Sequence, residues 1–500
     1  MNYFLDKLQT RKIKLTKLLK NEYPHRSIAE ISKELDCSNQ TLMTTIDSLI
    51  EDLKSFEINT ARIRIVSKRV EADFDVNFSV DCLIHEYVRK SFEYQVILDC
   101  FFNTTKSISD YAKDFFLSQA STYRKINGVK NILKNFNIEL QQSTTLQIVG
   151  EEKMIRYFYF SFFWETHSNI NWSFEFSKEF IASFKKVIHS DAIKADHTLV
   201  NQNKIDLWFG IILTRIASGY SVGVIPQIKN IGDFNENYLE KITESQAFFN
   251  QINPKLSRTK SLDELNFCYS IEIINTHYLV YNPTMEGLLN KIKANDQIYK
   301  VASQQFIESL DKYLSQALDK EAQAILLANL FSVHLSVFLF DNVLSPFSEK
   351  LKLHRFDRIY PSMYKMLNKA YQDFIRHKAI AKVYHDKELL FPSYLLILYL
   401  SVDVKNYTEP IIIYLYSANS TLLEFLLKKE LQKMSQYNLI FTETVTAETD
   451  LVISDTFNTP FCLSQESTLI WESVPSDSDW MNLRNKLNEI KKEKEFSRLE

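Results

Sequence analysis

Five hundred residues, 45% hydrophobic and 24% charged, are enough for several packed domains, because a single core stops growing well below that length. Seven glycines, none after Gly287, leave the later chain without the residue that wraps backbone around a phosphate, which argues against a nucleotide-binding enzyme. A net charge of -3 gives no global basic field, so nucleic-acid binding must come from a local patch; the five scattered cysteines, with no C-x-x-C pair, argue against a disulfide framework or zinc ribbon and for a reducing compartment.

Met1 to Lys14 carries Asp6, Lys7, Arg11, Lys12 and Lys14 and no apolar stretch of signal-peptide length, so a cytoplasmic chain is expected. Ser27-Ile28-Ala29-Glu30 reads as a capping box opening a helix with Ile28, Ile31 and Leu35 on one face. Asp36-Cys37-Ser38 breaks that pattern, and Ser38 caps a second helix, Asn39 to Lys54, with Leu42, Ile46, Leu49, Ile50 and Leu53 inward. Two helices joined by a three-residue turn are the helix-turn-helix pattern, whose second helix would face the major groove with Asn39, Gln40, Met43, Thr44 and Asp47. The alternating segments Arg62 to Val66 and Arg69 to Phe74 then read as a hairpin in the position of a wing. An ordinary helical pair with a hairpin and no nucleic acid is the alternative for this unit taken alone.

The pattern recurs. Ser107-Ile108-Ser109-Asp110 caps a helix, Phe116-Leu117-Ser118 forms a turn, and Gln119 to Phe136 forms a long helix with Tyr123, Ile126, Val129, Ile132, Leu133 and Phe136 inward. Arg124, Lys125, Lys130 and Lys134 occur there without a single Asp or Glu, so this helix can approach phosphates without repulsion. Gln119, Ser121, Thr122 and Arg124 at the helix start are assigned to base edges, and Lys125, Lys130 and Lys134 to phosphates. Ile138 to Gln141 and Thr145 to Val149 alternate around Gln142-Ser143-Thr144 as a second wing.

Asn201 to Ile216 and Ile325 to Phe340 read as helices apolar on most sides, fit for bundle centres; the second is too short and too interrupted by polar residues to span a membrane. Near Ser401 the composition changes. Ile411 to Tyr416 reads as a buried strand, Thr421 to Met434 as a helix, Asn438 to Phe441 and Leu451 to Ser454 as strands and Trp480 to Lys491 as a closing helix, a small α/β domain. No G-x-S-x-G, H-E-x-x-H or Walker motif is present, and His377 and His385 are about 12 Å apart if on one helix, too far to share a metal. No enzyme, cofactor or metal site is expected.

With Phe116 to Arg124, Leu133-Lys134-Asn135-Phe136 and Ile148-Val149-Gly150-Glu151-Glu152-x-x-Ile155-Arg156-Tyr157 in view, the chain resembles the Mga and RofA-like stand-alone transcriptional regulators of Gram-positive cocci, closer to the RofA-like branch. The likeness extends more weakly through Ile211 to Pro226 and, as architecture, to the C-terminus. It implies a mainly α, multidomain fold: winged helix-turn-helix units at 1–75 and 76–160, helical PRD-like domains at 161–290 and 291–403, and an EIIB-like α/β domain at 404–500. It also implies a regulator of virulence or surface-protein genes that binds double-stranded promoter DNA, pairs as a homodimer or larger, and has no membrane contact. A IIB component carries a nucleophilic cysteine after its first strand, but that loop is Ser417-Ala418-Asn419-Ser420 here and Cys462 lies elsewhere, which points to a contact or dimerisation role. PRD-like domains are controlled by histidine phosphorylation from a phosphotransferase phosphocarrier; the candidates are His197, His277, His334 and His377, with a satisfied core histidine the alternative for His334. The alternatives for the whole are an RNA antiterminator with such helical domains, or a helical scaffold or phosphorelay protein without DNA binding.

Overall fold

The computed structural model describes the chain apart from residues 1, 22–24, 68, 144, 168–173, 175, 189–197, 230, 232–237, 282–284, 315–316, 344–360, 403–408, 435, 457–466 and 498–500. It is mainly helical, with a small parallel sheet near the C-terminus, and divides into two compact units: Met1–Thr276 with Leu339–Lys350, and His277–Phe338 with Leu351–Glu500.

The first unit begins with α1 (Lys7–Asn21), β1 (His25–Ser27), α2 (Ile28–Glu34), α3 (Asn39–Ser55) and the hairpin β2 (Ala61–Val66) and β3 (Arg69–Phe74). The capping box forms as its spacing predicts: the Glu30 amide donates to Ser27 Oγ at 3.3 Å, and the Ser27 amide donates to the Glu30 carboxylate at 3.0 Å. The strands make an antiparallel sheet in the order β1-β3-β2. Leu42, Ile46, Leu49 and Leu53 of α3 are buried with Ile31 of α2 and Leu15 and Leu19 of α1, while Ile50 is only half-buried. On the remote side of α3, Lys12 and Tyr87 both bond the Asp52 carboxylate.

The chain continues through α4 (Val80–Arg89), α5 (Phe92–Phe102), α6 (Ile108–Asp114), α7 (Gln119–Lys134) and the hairpin β4 (Glu139–Gln142) and β5 (Leu146–Val149). The recurrence seen in sequence is a structural repeat with a constant offset of 80 residues. The N-caps Ser27 and Ser107, the left-handed turn residues Asp36 and Phe116, the N-caps Ser38 and Ser118, and the left-handed terminators Glu57 and Asn137 all correspond. So do the buried Ile46 and Ile126, Leu49 and Val129, Leu53 and Leu133.

After β5 the chain turns at Gly150, φ 148°, where a Cβ would meet Ile138 Cγ2 at 2.8 Å. It then enters α8 (Glu152–His167), α9 (Lys178–Ile188), α10 (Leu199–Ala217), α11 (Tyr238–Ile252) and α12 (Arg258–Ile274). Helix α8 belongs to both neighbours. Phe158 packs edge-on against Phe136 at 5.2 Å and Tyr159 against Phe101 at 4.6 Å, while Phe160 stacks on Trp208 of α10 at 4.6 Å. The boundary expected at 160/161 therefore falls inside a continuous helix.

The second unit contains α13 (Met285–Ala294), α14 (Ile298–Asp311), α15 (Lys320–Leu339), α16 (Pro361–Phe374), α17 (Lys378–Val383) and α18 (Lys387–Ser401). The boundary expected at 290/291 lies within α13, and the compact units divide at 276/277 instead. Among the described residues α15, 20 residues long, is the helix long and apolar enough to cross a membrane. The length argument against a span thus fails, but 72% of its apolar window is buried inside the protein, so the bundle-centre reading stands on burial. Beyond it come β6 (Pro410–Tyr416), α19 (Thr421–Gln432), β7 (Asn438–Phe441), β8 (Leu451–Ser454), β9 (Thr468–Ile470) and α20 (Asp477–Ser497). The four strands are parallel in the order β7-β6-β8-β9. Ile411, Ile413 and Leu415 join Leu427, Leu431, Leu483 and Leu487 in one core, whereas Ile412, Tyr414 and Tyr416 are half-exposed, so β6 alternates rather than being buried on both faces.

Candidate nucleic-acid interface

The second helix-turn-helix is built from local signals. Ser107 caps α6, with its hydroxyl accepting from the Asp110 amide at 3.2 Å, and Ser118 caps α7 by accepting from the Ser121 amide at 3.2 Å. Between them Phe116 is held at φ 54° and is 96% exposed, a backbone conformation costly for a bulky residue and sustained here by the caps on either side. Thr122, Ile126, Val129, Ile132 and Leu133 face the core, where α7 packs against α5 and α6.

Several assigned residues sit elsewhere than expected. Thr122 is fully buried and its hydroxyl donates to the Ser118 carbonyl at 3.0 Å, so it cannot reach a base edge. Ser121 is half-buried, its hydroxyl accepting from Ser118 Oγ at 3.1 Å. Lys125 turns inward: its ammonium lies 3.1 Å from both oxygens of the nearly buried Glu93 carboxylate on α5, which makes it an anchor of the helix rather than a phosphate ligand. Tyr123, read as a core residue, is 50% exposed. The periodicity misassigned it because an aromatic residue at the rim of the apolar arc has the same spacing as a core one. Gln119, Arg124 and Lys134 are exposed as expected, and Lys130 is half-exposed. Among the described residues Arg124, Lys130 and Lys134 carry no ion-pair partner. Sequence reasoning missed Asn127 and Asn131, which are also exposed on this face; the signal was their placement four and eight residues after Tyr123.

On α3, Asn39, Gln40 and Thr44 are exposed, with the Thr44 hydroxyl donating to the Thr41 carbonyl at 3.0 Å, while Met43 is half-buried. Asp47 and Glu51 are exposed beside them. The adjoining wing also neutralises itself: Arg62 pairs in register with Asp73, and Arg64 binds Glu71 at 2.7 Å. One basic element escaped the sequence reading: α1 carries Lys7, Arg11, Lys12, Lys14, Lys17 and Lys20 with no acid, and Lys7, Lys14 and Lys17 are exposed.

Gln147 of the β4–β5 wing donates to Tyr220 OH at 2.7 Å, and α8, which follows the wing, is tied to α10 and α12. Arg156 of α8, fully buried, donates to Glu264 of α12 at 2.6 and 2.9 Å and to Glu152 at 3.0 Å. Arg215 of α10 donates to both oxygens of Glu152, at 2.9 and 2.7 Å, and the Val222 amide donates to Glu264 at 2.7 Å. Burial opposes charge here, and the two guanidinium groups outweigh it at Glu152, whose carboxyl is held below its ordinary range.

The histidine candidates separate. His334 is 0% exposed; its Nδ1 is 2.8 Å from Ser303 Oγ and its Nε2 2.6 Å from Tyr394 OH, and burial pushes its pKa down to about 3. With both ring nitrogens engaged and no access, His334 is a neutral core residue, which removes it from the phosphoacceptor candidates. His277 and His377 are exposed, and His197 lies outside the described residues. In the loop after β6, the Asp455 carboxylate accepts from Ser417 Oγ and the Ala418 amide at 2.8 Å each and from Asn419 Nδ2 at 3.1 Å. Burial opposes ionisation of Asp455, but these donors outweigh it and hold the carboxyl below the ordinary aspartate value. The donors of this loop are thus taken up by an internal carboxylate. Cys462 lies outside the described residues.

Residues 76–163 match the Mga helix-turn-helix domain. The chain is similar to a Streptococcus pneumoniae serotype 4 protein with the provisional designation of trans-acting regulator, 26% identical over 254 residues, which is 49% of this chain and 48% of that protein. It is also similar to two capsule synthesis positive regulators of Bacillus anthracis. AcpB is 22% identical over 62% of this chain and 66% of its own length, and AcpA 25% identical over 52% and 56%. The matched segments thus span less than two thirds of each relative's length.

Proposed function

We propose that this chain, whose residues 76–163 match the Mga helix-turn-helix domain, is an Mga-like, cytoplasmic transcription regulator that grips promoter DNA chiefly through α7 and the β4–β5 wing. The observation that carries this reading is the outward face of α7: three cations without ion-pair partners among the described residues and no carboxylate along the whole helix. The helical alternative to DNA, an RNA antiterminator, fits less well because the N-terminal modules are helix-turn-helix units rather than a β-rich RNA-binding module. A protein-only scaffold leaves that basic face without a role.

In this proposal the helices of 161–290 and 291–403 act as PRD-like regulatory domains that receive a phosphocarrier at exposed histidines, His277 and His377 being the accessible ones. The segment 404–500 acts as an EIIB-like contact domain without phosphoryl chemistry. The support for a contact role is α19, where Leu422, Phe425 and Leu426 are 84%, 61% and 53% exposed on one face, an apolar stripe suited to pairing two copies. The control of virulence or surface-protein genes follows from the family likeness alone. Chromosomal binding-site mapping in cells, followed by gel shifts of the enriched fragments with the full chain, tests the central claim. Enriched promoter fragments retarded by the wild-type chain are expected; no retardation beyond that of unrelated duplex would overturn it.

A further inference from the structure

The 80-residue repeat places each position of α7 on a counterpart in α3, and the two outward faces differ in one chemical respect. Successive residues of a helix are about 100° apart. On that wheel the buried Thr122, Ile126, Val129 and Leu133 of α7 form one arc, and the side opposite them is occupied by Ala120, Asn127, Asn131 and Lys134, with Tyr123 and Arg124 on its two flanks. Asn127 stands at the middle of the exposed arc. Its amide makes no hydrogen bond to another described residue, and Ala120, two turns earlier, leaves room for the helix to come close to a groove floor. The counterparts on α3 are Gln40, Met43, Thr44, Asp47, Glu51 and Lys54, so the two central amides of α7 correspond to two carboxylates.

We infer that Asn127 is the central base-reading residue of this protein, flanked by Arg124 and Tyr123, and that the exchange of Asp47 and Glu51 for Asn127 and Asn131 is what makes the second helix-turn-helix the one that reads sequence. This rests on the proposal that α7 enters the major groove. An asparagine amide matches the N7 acceptor and N6 donor of adenine bidentately, and an arginine matches guanine O6 and N7. A carboxylate at the same position faces the acceptors of purines and the negative potential of the groove. It can therefore accept only from the amino group of cytosine or adenine, without the bidentate match, and is repelled by the other acceptors and the phosphates. The pair of units is then functionally asymmetric: α7 reads, and α3 holds a position on the duplex without sequence information from its centre.

The test is selection from a pool of randomised duplexes by the full-length chain, followed by competition binding. The wild-type chain is expected to enrich a motif containing an A·T pair. Asn127→Ala is expected to lose preference at that pair by roughly 5- to 150-fold while keeping its affinity for unselected duplex. Asn127→Asp, nearly isosteric and on an exposed position that leaves folding intact, is expected to lose affinity for selected and unselected duplex alike. Asp47→Asn in the first unit is expected to gain affinity. A motif unchanged in Asn127→Ala, with wild-type affinity in Asn127→Asp, would overturn the assignment while leaving the regulator reading in place. A wild-type chain that enriches no motif and binds no duplex overturns the regulator reading and this assignment together.

Discussion

Lys125 and Lys134 look equivalent in sequence and are not equivalent in the fold, and a salt titration separates them. Each phosphate neutralised by a protein cation releases condensed counterions, so log Kobs falls with log salt at a slope of about 0.9 per contact, which is about 3.5-fold per contact between 50 and 200 mM. Removing the two lysines of α7 that carry no ion-pair partner, as Lys130→Ala with Lys134→Ala, should flatten the slope by about 1.8 and cut the affinity loss across that salt range by about 12-fold. Lys125→Ala should leave the slope unchanged, because its ammonium is committed to Glu93. Its effect should appear in stability instead: a carboxylate only 10% exposed loses its partner, at a cost of about 1–2 kcal/mol after allowing for solvent at the one-third exposed lysine. Fluorescence anisotropy of a labelled target duplex at four salt concentrations, with thermal unfolding of the same variants, reads both quantities. A slope that falls by as much in Lys125→Ala as in Lys134→Ala would refute the distinction.

Two further outcomes follow from the buried groups. Glu264→Leu leaves two buried guanidinium groups facing Glu152 alone and should destabilise the first unit by about 3–5 kcal/mol; Arg156→Met with Glu264→Leu restores the balance of charge and should cost clearly less than the sum of the two single changes, as a double-mutant cycle in denaturant would show. His334 has a folded pKa of about 3 against an ordinary 6.5, so the unfolded chain takes up the proton first and stability is lost as pH falls below 6.5; at pH 5 the loss is about 2 kcal/mol, and the difference between pH 7 and pH 5 should shrink by that amount in His334→Leu, whatever that variant's stability at pH 7.

The caps and turns were legible because they depend on a few neighbouring residues. Ser27, Ser38, Ser107 and Ser118 cap helices by accepting amides within their own first turn, and a hydroxyl at that position states the boundary in the sequence itself. The strands and helices of the C-terminal domain were readable for the same reason, except β9, three residues long and stabilised only by its parallel pairing with β8. What failed depended on distant partners. Nothing near Lys125 announces Glu93, 32 residues earlier, and nothing near Arg156 announces Glu264, 108 residues later. Thr122 and Tyr123 were assigned to the wrong sides because a helix face is known from sequence only to within one residue at its edges, and packing against α5 and α6 decides the rest. His334 was recognisable as lying in an apolar helix, but its two partners come from α14 and α18, and only their convergence shows that both ring nitrogens are occupied.

The same long-range contacts bear on how a signal reaches the DNA-reading helix. Phe136, two residues past α7, rests on Phe158 of α8, and Arg156, two residues earlier on α8, is locked to Glu264, so α8 is at once the floor of the second helix-turn-helix and a wall of the helical module. Bending between the two would separate Arg156 or Arg215 from a carboxylate in a dry interior, where breaking one pair costs several kcal/mol. A single charge added at an exposed histidine contributes no more than a few charge-assisted hydrogen bonds of its own. Flexing of α7 against α10 and α12 is therefore the expensive route. In the proposed function, where copies pair through surfaces such as the exposed stripe of α19, the cheaper response keeps the first unit rigid and acts on that pairing, because an assembly that presents two rigid reading helices changes its affinity steeply with small changes in pairing.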